Sequence, residues 1–228
     1  GLTFHARALR QSAFYEERVA ASLADLVFSH VFPGIAGAIA AAAPDATLQD
    51  VREASLVLLY RLLFLLYAED RELLPIRDRR FDDYALRPFR QEVGRRMDED
   101  GAFSAAASRI WTQVADLSRM IDKGDPSVGL PPYNGELFAS AEGGGGTPLL
   151  DRIRIPDSVM ATTLDLLSFE RTGGRRRYIN YRDLSVAHLG GIYERLLEYK
   201  LVHEVQARHS YRELPEIDRI VARPASFA

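Results

Sequence analysis

The segment "TLQDVREASLVLLYRLLFLLYAEDRELLP" (47–75) decides the fold of this chain. Thr47 and Asp50 have the spacing of a capping box, and a proline closes the segment, so the pattern predicts a helix over about 47–74. Nearly every face of this helix is apolar between positions 56 and 68. Because a helix that is apolar all round must be surrounded by protein, we expect it at the centre of a helical bundle.

Arg61 is the charged residue inside this apolar stretch. A cation in a protein interior needs a partner, since an unpaired buried charge is costly. The last predicted helix carries two carboxylates, Glu194 and Glu198, and these are the expected partners of Arg61.

The rest of the chain is also mostly helical in pattern. Further amphipathic helices are predicted from about Ser12 to Phe32, from Ser104 to Ile121, from Pro156 to Phe169, and after Ser185. The Gly-Gly pair in "RTGGRRRYINY" (171–181) favours a short β-hairpin or strand, and "GGGG" favours a flexible loop at about 139–148. The sequence therefore predicts a mainly α fold, an irregular multi-helix bundle around the central helix at about 47–74. We expect residues 1–228 to form one domain cut from a longer chain, because Phe4, Leu9 and Phe14 at the start look core-facing and "IVARPASFA" at the end has no natural stop.

Composition narrows the classes of function. Of the 228 residues, 47% are hydrophobic and 27% are charged, which is typical of a soluble globular domain. A net charge of −3 gives no overall attraction to nucleic acid, so any DNA contact must come from a local basic patch. The chain has no cysteine, and its longest apolar run (56–68) is too short to span a membrane. We expect a cytoplasmic protein with no membrane partner.

The stretch "GLPPYNGELF" (129–138) contains Pro-Pro-Tyr, the end of a motif by which adenine methyltransferases hold the target base. In that motif an Asn or Asp accepts hydrogen bonds from the amino group, whereas Leu130 stands at this position and accepts none. No predicted strand leads into the stretch. We therefore interpret it as a turn that Tyr133 and Phe138 pin to the core.

A second pattern matches metal-dependent nucleases by its letters alone. Pro-Asp at 156–157 and Glu-Tyr-Lys at 198–200 follow the Pro-Asp…Glu-x-Lys order, in which the carboxylates hold Mg²⁺ from adjacent strands. Here Asp157 is predicted at a helix start, and Glu198 and Lys200 are predicted on a helix, where positions two apart do not face each other. The five histidines are scattered without metal spacing. We predict no catalytic residue and no metal site.

Arg175, Arg176 and Arg177 form a basic cluster on the predicted hairpin. Arginine forks match phosphate oxygens, so these three residues are candidate contacts to the DNA backbone. The alternative is a solvated hairpin whose charges are balanced by neighbouring Asp and Glu residues. A second basic run, "RDRR" (77–80), is open to the same two interpretations.

Three stretches together resemble one family: "LLYRLLFLLYAEDRELLP" (58–75), "VGLPPYNGELF" (128–138) and "NYRDLSVAHLGGIYERLLEYKL" (180–201). In this order they are similar to the helical region upstream of the methyltransferase core in fused type II restriction enzyme/methylase subunits and the related phage-exclusion methyltransferases. The resemblance covers roughly residues 50–205. It implies a parent enzyme that is an adenine-specific DNA methyltransferase using S-adenosylmethionine, often fused to a nuclease that uses Mg²⁺.

The resemblance assigns no site residue to this chain. The family's glycine-rich cofactor motif and its Asn-Pro-Pro-aromatic motif should follow residue 205, and no position here matches either one. It implies a non-catalytic connector domain that binds no cofactor itself. Its partners would be the rest of the parent polypeptide and, through the parent, double-stranded DNA. Two alternatives stay open: a free-standing helical adaptor that binds another protein, and a small nuclease in its own right.

Overall fold

The computed structural model describes residues 16–133, 135–139, 148–172, 175–206 and 217–224. This part of the chain is mainly helical, as the sequence predicts, with seven helices and two antiparallel strand pairs. The helices are α1 (Glu16–Ala42), α2 (Leu48–Asp70), α3 (Arg87–Asp98), α4 (Arg109–Lys123), α5 (Pro148–Arg152), α6 (Asp157–Ser168) and α7 (Val186–Leu197). The strands are β1 (Phe169–Thr172), β2 (Arg175–Tyr178), β3 (Tyr199–Gln206) and β4 (Ile217–Pro224).

Helix α2 is the central element, and this prediction is confirmed. Both halves of the capping box form, because the backbone N–H of Asp50 donates to the Thr47 hydroxyl and the Asp50 carboxylate accepts from the Thr47 N–H, each over 3.1 Å. Buried leucines point to all sides of the helix, and α1, α5, α7 and β3 pack around it. The helix ends at Asp70, four residues earlier than predicted, and Glu72 follows with a left-handed φ of 57°.

Helix α1 runs through Pro33, where the sequence predicts that it ends. A π turn over Val27–Val31 lies just before the proline. Inside an α-helix, proline has no N–H to donate and its ring clashes with the carbonyl four residues back. In the π turn each N–H bonds to the carbonyl five residues back, as the Phe32 N–H does to Val27, and this changes the hydrogen-bonding register of the helix just before Pro33. The helix is long and apolar enough to cross a membrane by length and composition, and half of its most apolar part is buried inside the protein.

Helix α6 is a second packing centre, in contact with α1, α3 and α4. It begins at Asp157, as the sequence predicts. The Asp157 carboxylate accepts a hydrogen bond of 2.8 Å from the backbone N–H of Ile110, which belongs to the first turn of α4. This buried carboxylate therefore caps a neighbouring helix, because the first N–H groups of a helix have no partner within it.

The strands form two separate antiparallel pairs. The β1–β2 hairpin pairs Phe169 with Tyr178 and confirms the hairpin predicted near 171–181. The second pair, β3–β4, corrects the prediction that Glu198 and Lys200 lie on a helix. Helix α7 stops at Leu197, Glu198 ends it, and Lys200 pairs with Arg223 in the sheet. The flexible loop predicted at about 139–148 falls almost wholly on residues 140–147, which lie outside the described residues.

Candidate functional site

Arg61 is buried, as predicted, but its partners are backbone carbonyls. Its Nε donates to the Leu137 carbonyl over 2.7 Å and its Nη2 to the Ala139 carbonyl over 3.2 Å. Burial lowers the pKa of the guanidinium. The predicted pair with Glu194 or Glu198 is wrong: among the described residues neither forms an ion pair with Arg61, because Glu194 is exposed on α7 and Glu198 is exposed directly after it.

The Pro-Pro-Tyr stretch packs against α2 as a turn. The Phe138 ring is buried and lies edge-on to Phe64 of α2, with 5.1 Å between ring centroids. Tyr133 is 41% exposed, and its hydroxyl donates to the Leu73 carbonyl over 3.0 Å. Phe138 therefore pins the turn by burial, as predicted, whereas Tyr133 holds it by a hydrogen bond at the surface. Leu130, at the position of the motif's Asn or Asp, is buried.

The hairpin arginines differ from one another. The Arg176 side chain is only 10% exposed, and it forms ion pairs of 2.7 Å with Asp98 and 3.1 Å with Asp165. It also lies 5.5 Å from the Phe169 ring centroid. Arg176 thus joins the hairpin to α3 and α6, and its guanidinium is paired with carboxylates of these two helices. Its structural role is to hold these elements together, and its contact to the DNA backbone stays a prediction.

Arg177 is exposed, with 64% of its side chain in solvent and an ion pair of 3.8 Å to Glu170. The side chain of Arg175 lies outside the described part of the structure. In the "RDRR" run, Arg80 pairs with Asp78 and Arg77 with Glu72. Neighbouring carboxylates therefore balance these basic runs in part, and a DNA contact by Arg175 and Arg177 stays a prediction.

A buried charge cluster at the end of α2 was not predicted from the sequence. Arg90 is fully buried on α3, and its Nη1 lies 3.0 Å from Oδ1 of Asp70. The guanidinium also lies 4.2 Å from the Tyr178 ring centroid, and its Nε donates to the Ser168 hydroxyl. The backbone N–H of Tyr181 donates to Oδ2 of Asp70 over 3.0 Å. One carboxylate therefore joins α2 to α3 and to the segment after β2.

Glu69 lies beside this pair and is also buried. Its Oε1 accepts a hydrogen bond from the backbone N–H of Leu86 at the start of α3, and its Oε2 has no hydrogen-bond partner among the described residues. Burial raises the pKa of Glu69 to about 7, because the charged carboxylate loses its hydration. The Leu86 N–H and the cations Arg90 and Arg87 oppose this rise in pKa, whereas the negative charge of Asp70 adds to it.

The sequence contained one signal for this cluster. "AED" (68–70) places two acidic residues directly after the apolar stretch of a helix that must be buried. Two carboxylates at the end of a buried helix require hydrogen-bond donors or cations from elsewhere in the chain. The sequence pattern does not indicate which arginine supplies them.

These groups make packing contacts. Asp70, Arg90 and Arg176 bond to other protein groups, and Tyr181 donates its hydroxyl proton to the Leu167 carbonyl over 2.8 Å. Among the residues that the structure describes, no three His, Asp or Glu side chains form a group that could hold a metal ion. Comparison with protein-family models, curated proteins and solved structures gives no match.

Proposed function

We propose that this chain is the non-catalytic helical connector of a type II restriction-modification methylase subunit, whose parent is an adenine-specific DNA methyltransferase that uses S-adenosylmethionine. The observation that supports this proposal is that both later stretches carrying the family resemblance pack on α2, which forms most of the first. Residues 58–75 include most of α2 itself. Residues 128–138 cover one side of it, and residues 180–201 cover another.

The contacts between these stretches are structural in kind. Between residues 58–75 and 128–138, Arg61 donates to the Leu137 carbonyl. Between residues 58–75 and 180–201, the Tyr60 hydroxyl donates to the Tyr193 carbonyl over 3.2 Å, and the centroids of the two rings lie 4.4 Å apart. Side chains that are occupied in this way hold elements together. They are the contacts that a connector needs if it keeps two catalytic modules at a fixed distance.

The buried Asp70–Arg90 pair supports the same role. A buried ion pair gives little net stability but penalises any packing that separates its members, since each would leave a charge without a partner. Here it joins α2 to α3 across the bundle. A domain with a single allowed packing acts as a stiff spacer, and cleavage or methylation at a set distance from a recognition site requires such stiffness.

The test compares the isolated 228-residue chain with the protein encoded by the complete reading frame. The complete protein should transfer methyl groups from S-adenosylmethionine to adenine in unmethylated double-stranded DNA. The isolated chain should neither bind S-adenosylmethionine in calorimetry nor cut plasmid DNA in the presence of Mg²⁺. A complete protein without methyl transfer refutes the family assignment, and an isolated chain that binds the cofactor or cuts DNA refutes the connector role.

A further inference from the structure

A partly enclosed cavity of about 250 Å³ lies between α2, α4, α5 and the Phe138 turn. For comparison, an engineered apolar cavity of about 150 Å³ is large enough to bind benzene. The walls combine apolar side chains, including Leu58, Val114 and Phe138, with polar and charged ones. In small-molecule sites apolar walls bury the ligand and polar groups fix its orientation, and this cavity offers both.

Arg61 supplies a cation to the wall of the cavity. Two of its nitrogens, Nε and Nη2, are held by backbone carbonyls, so the guanidinium has a fixed orientation. Within the described residues, no carboxylate comes within 4.0 Å of it, whereas Asp122 and Asp151 act on it from farther away. A buried cation without a contacting counter-ion is costly, and an anionic ligand beside it would lower that cost.

Trp111 supplies a donor without an acceptor. The side chain borders the same cavity, and its buried Nε1–H has no acceptor in the part of the chain that the structure describes. Buried indole N–H groups ordinarily find a partner, because leaving one without an acceptor costs free energy. A cation without a contacting counter-ion and an indole N–H without an acceptor thus border one cavity, and both favour a ligand that supplies acceptor oxygens.

We propose that this cavity is a binding site for a small organic carboxylate with an aromatic or branched apolar body. The carboxylate pairs with the Arg61 guanidinium, and the apolar body lies against Leu58, Val114 and Phe138. Two cations of the wall are paired with neighbouring carboxylates, Arg119 with Asp116 over 2.8 Å and Lys123 with Asp122 over 3.1 Å, which leaves Arg61 as the cation that an anionic ligand would meet. This site is independent of the connector role.

The chain has a single tryptophan, so the fluorescence of Trp111 reports on the cavity directly. The 228-residue chain is titrated with phenylacetate and with isovalerate, and with phenylacetamide as the neutral counterpart of phenylacetate. We expect saturable binding of at least one acid, and binding of the amide at least tenfold weaker than that of phenylacetate. Arg61→Gln should remove this preference for the acid.

Two further variants separate binding from folding. Ala115 lines the cavity, and Ala115→Leu fills it while Arg61 stays in place, so this variant should lose binding. Arg95→Gln removes an exposed arginine outside the cavity and should bind like the unmodified chain. If melting curves show that Arg61→Gln is unfolded, the proposal is tested by the comparison of phenylacetate with phenylacetamide and by the binding of Ala115→Leu. The proposal is overturned if neither acid binds saturably, if phenylacetate and phenylacetamide bind equally, or if Ala115→Leu binds normally.

Discussion

Removing Arg90 tests the buried ion pair at the end of α2. The Arg90 and Asp70 side chains are 0% and 4% exposed and lie 3.0 Å apart. Arg90→Met leaves the Asp70 carboxylate buried without its cation, which costs about 3–5 kcal/mol of unfolding free energy. For a chain of this size each kcal/mol lowers Tm by about 2–4 °C, so Tm should fall by roughly 6–20 °C.

A double-mutant cycle in urea measures the pair itself. Asp70→Asn removes the charge and keeps an oxygen for the Tyr181 N–H, which donates to Asp70 in the native protein. The double variant Asp70→Asn/Arg90→Met should cost less than the sum of the single variants, because it leaves no buried charge unpaired. We expect a coupling energy near the upper end of the usual range of about 0.5–3 kcal/mol.

The matched control lies on the same helix. Arg95 pairs with Glu99 over 2.7 Å, and their side chains are 62% and 59% exposed. Arg95→Met should cost less than about 1 kcal/mol, because water solvates both charges. The reasoning is refuted if Arg90→Met costs no more than Arg95→Met, or if the two single variants of the buried pair are additive.

Four further predictions concern separate features. Burial raises the pKa of Glu69 from 4.5 to about 7, so between these pH values the folded state keeps a proton that the unfolded state loses. The free energy of unfolding should therefore fall by up to roughly 3 kcal/mol as pH rises through this range. In urea unfolding, Glu69→Gln should make the free energy of unfolding depend less on pH. Thr47→Ala removes the capping box of α2 and should cost about 1 kcal/mol, whereas Thr47→Ser should retain it in thermal melts. Gly124 and Gly129 have φ of 73° and 71°, but only at Gly124 would a Cβ meet a backbone nitrogen at 2.7 Å, so Gly124→Ala should lower Tm more than Gly129→Ala. In the complete protein, Arg177→Gln should reduce the salt slope of DNA affinity by about one, and an unchanged slope removes this residue from the DNA interface.

The sequence predicts α2 well because its signals are local. The capping box at Thr47, the continuous apolar faces and the following proline all lie within one segment, and each acts on the backbone close by. The same reasoning predicts that Arg61 is buried, since its neighbours in the helix are apolar. It does not predict the partner of Arg61, because the Leu137 and Ala139 carbonyls are distant in sequence and a carbonyl acceptor can come from any residue.

Long-range pairing explains the other differences. Helix α7 has good helical spacing up to Lys200, yet the chain leaves the helix at Leu197 and enters β3, whose partner strand begins at Ile217. A strand pairs with whatever segment the fold brings beside it, so periodicity alone does not indicate where the helix stops. The Asp70–Arg90 pair has the same origin, since twenty residues of chain separate its two members.

The positions of the buried charges on α2 account for its fixed orientation. A helix with leucine on every face could rotate about its axis and still bury apolar surface, because hydrophobic contacts are not directional. Arg61 and Asp70 are nine residues apart, and at 3.6 residues per turn they project on opposite sides, about 180° apart. Arg61 bonds to the Leu137 turn on one side, and Asp70 bonds to Arg90 and Tyr181 on the other. Rotation of α2 would break both sets of bonds at once and leave two buried charges unpaired. These two charges therefore select one packing from the many that the leucines alone would allow.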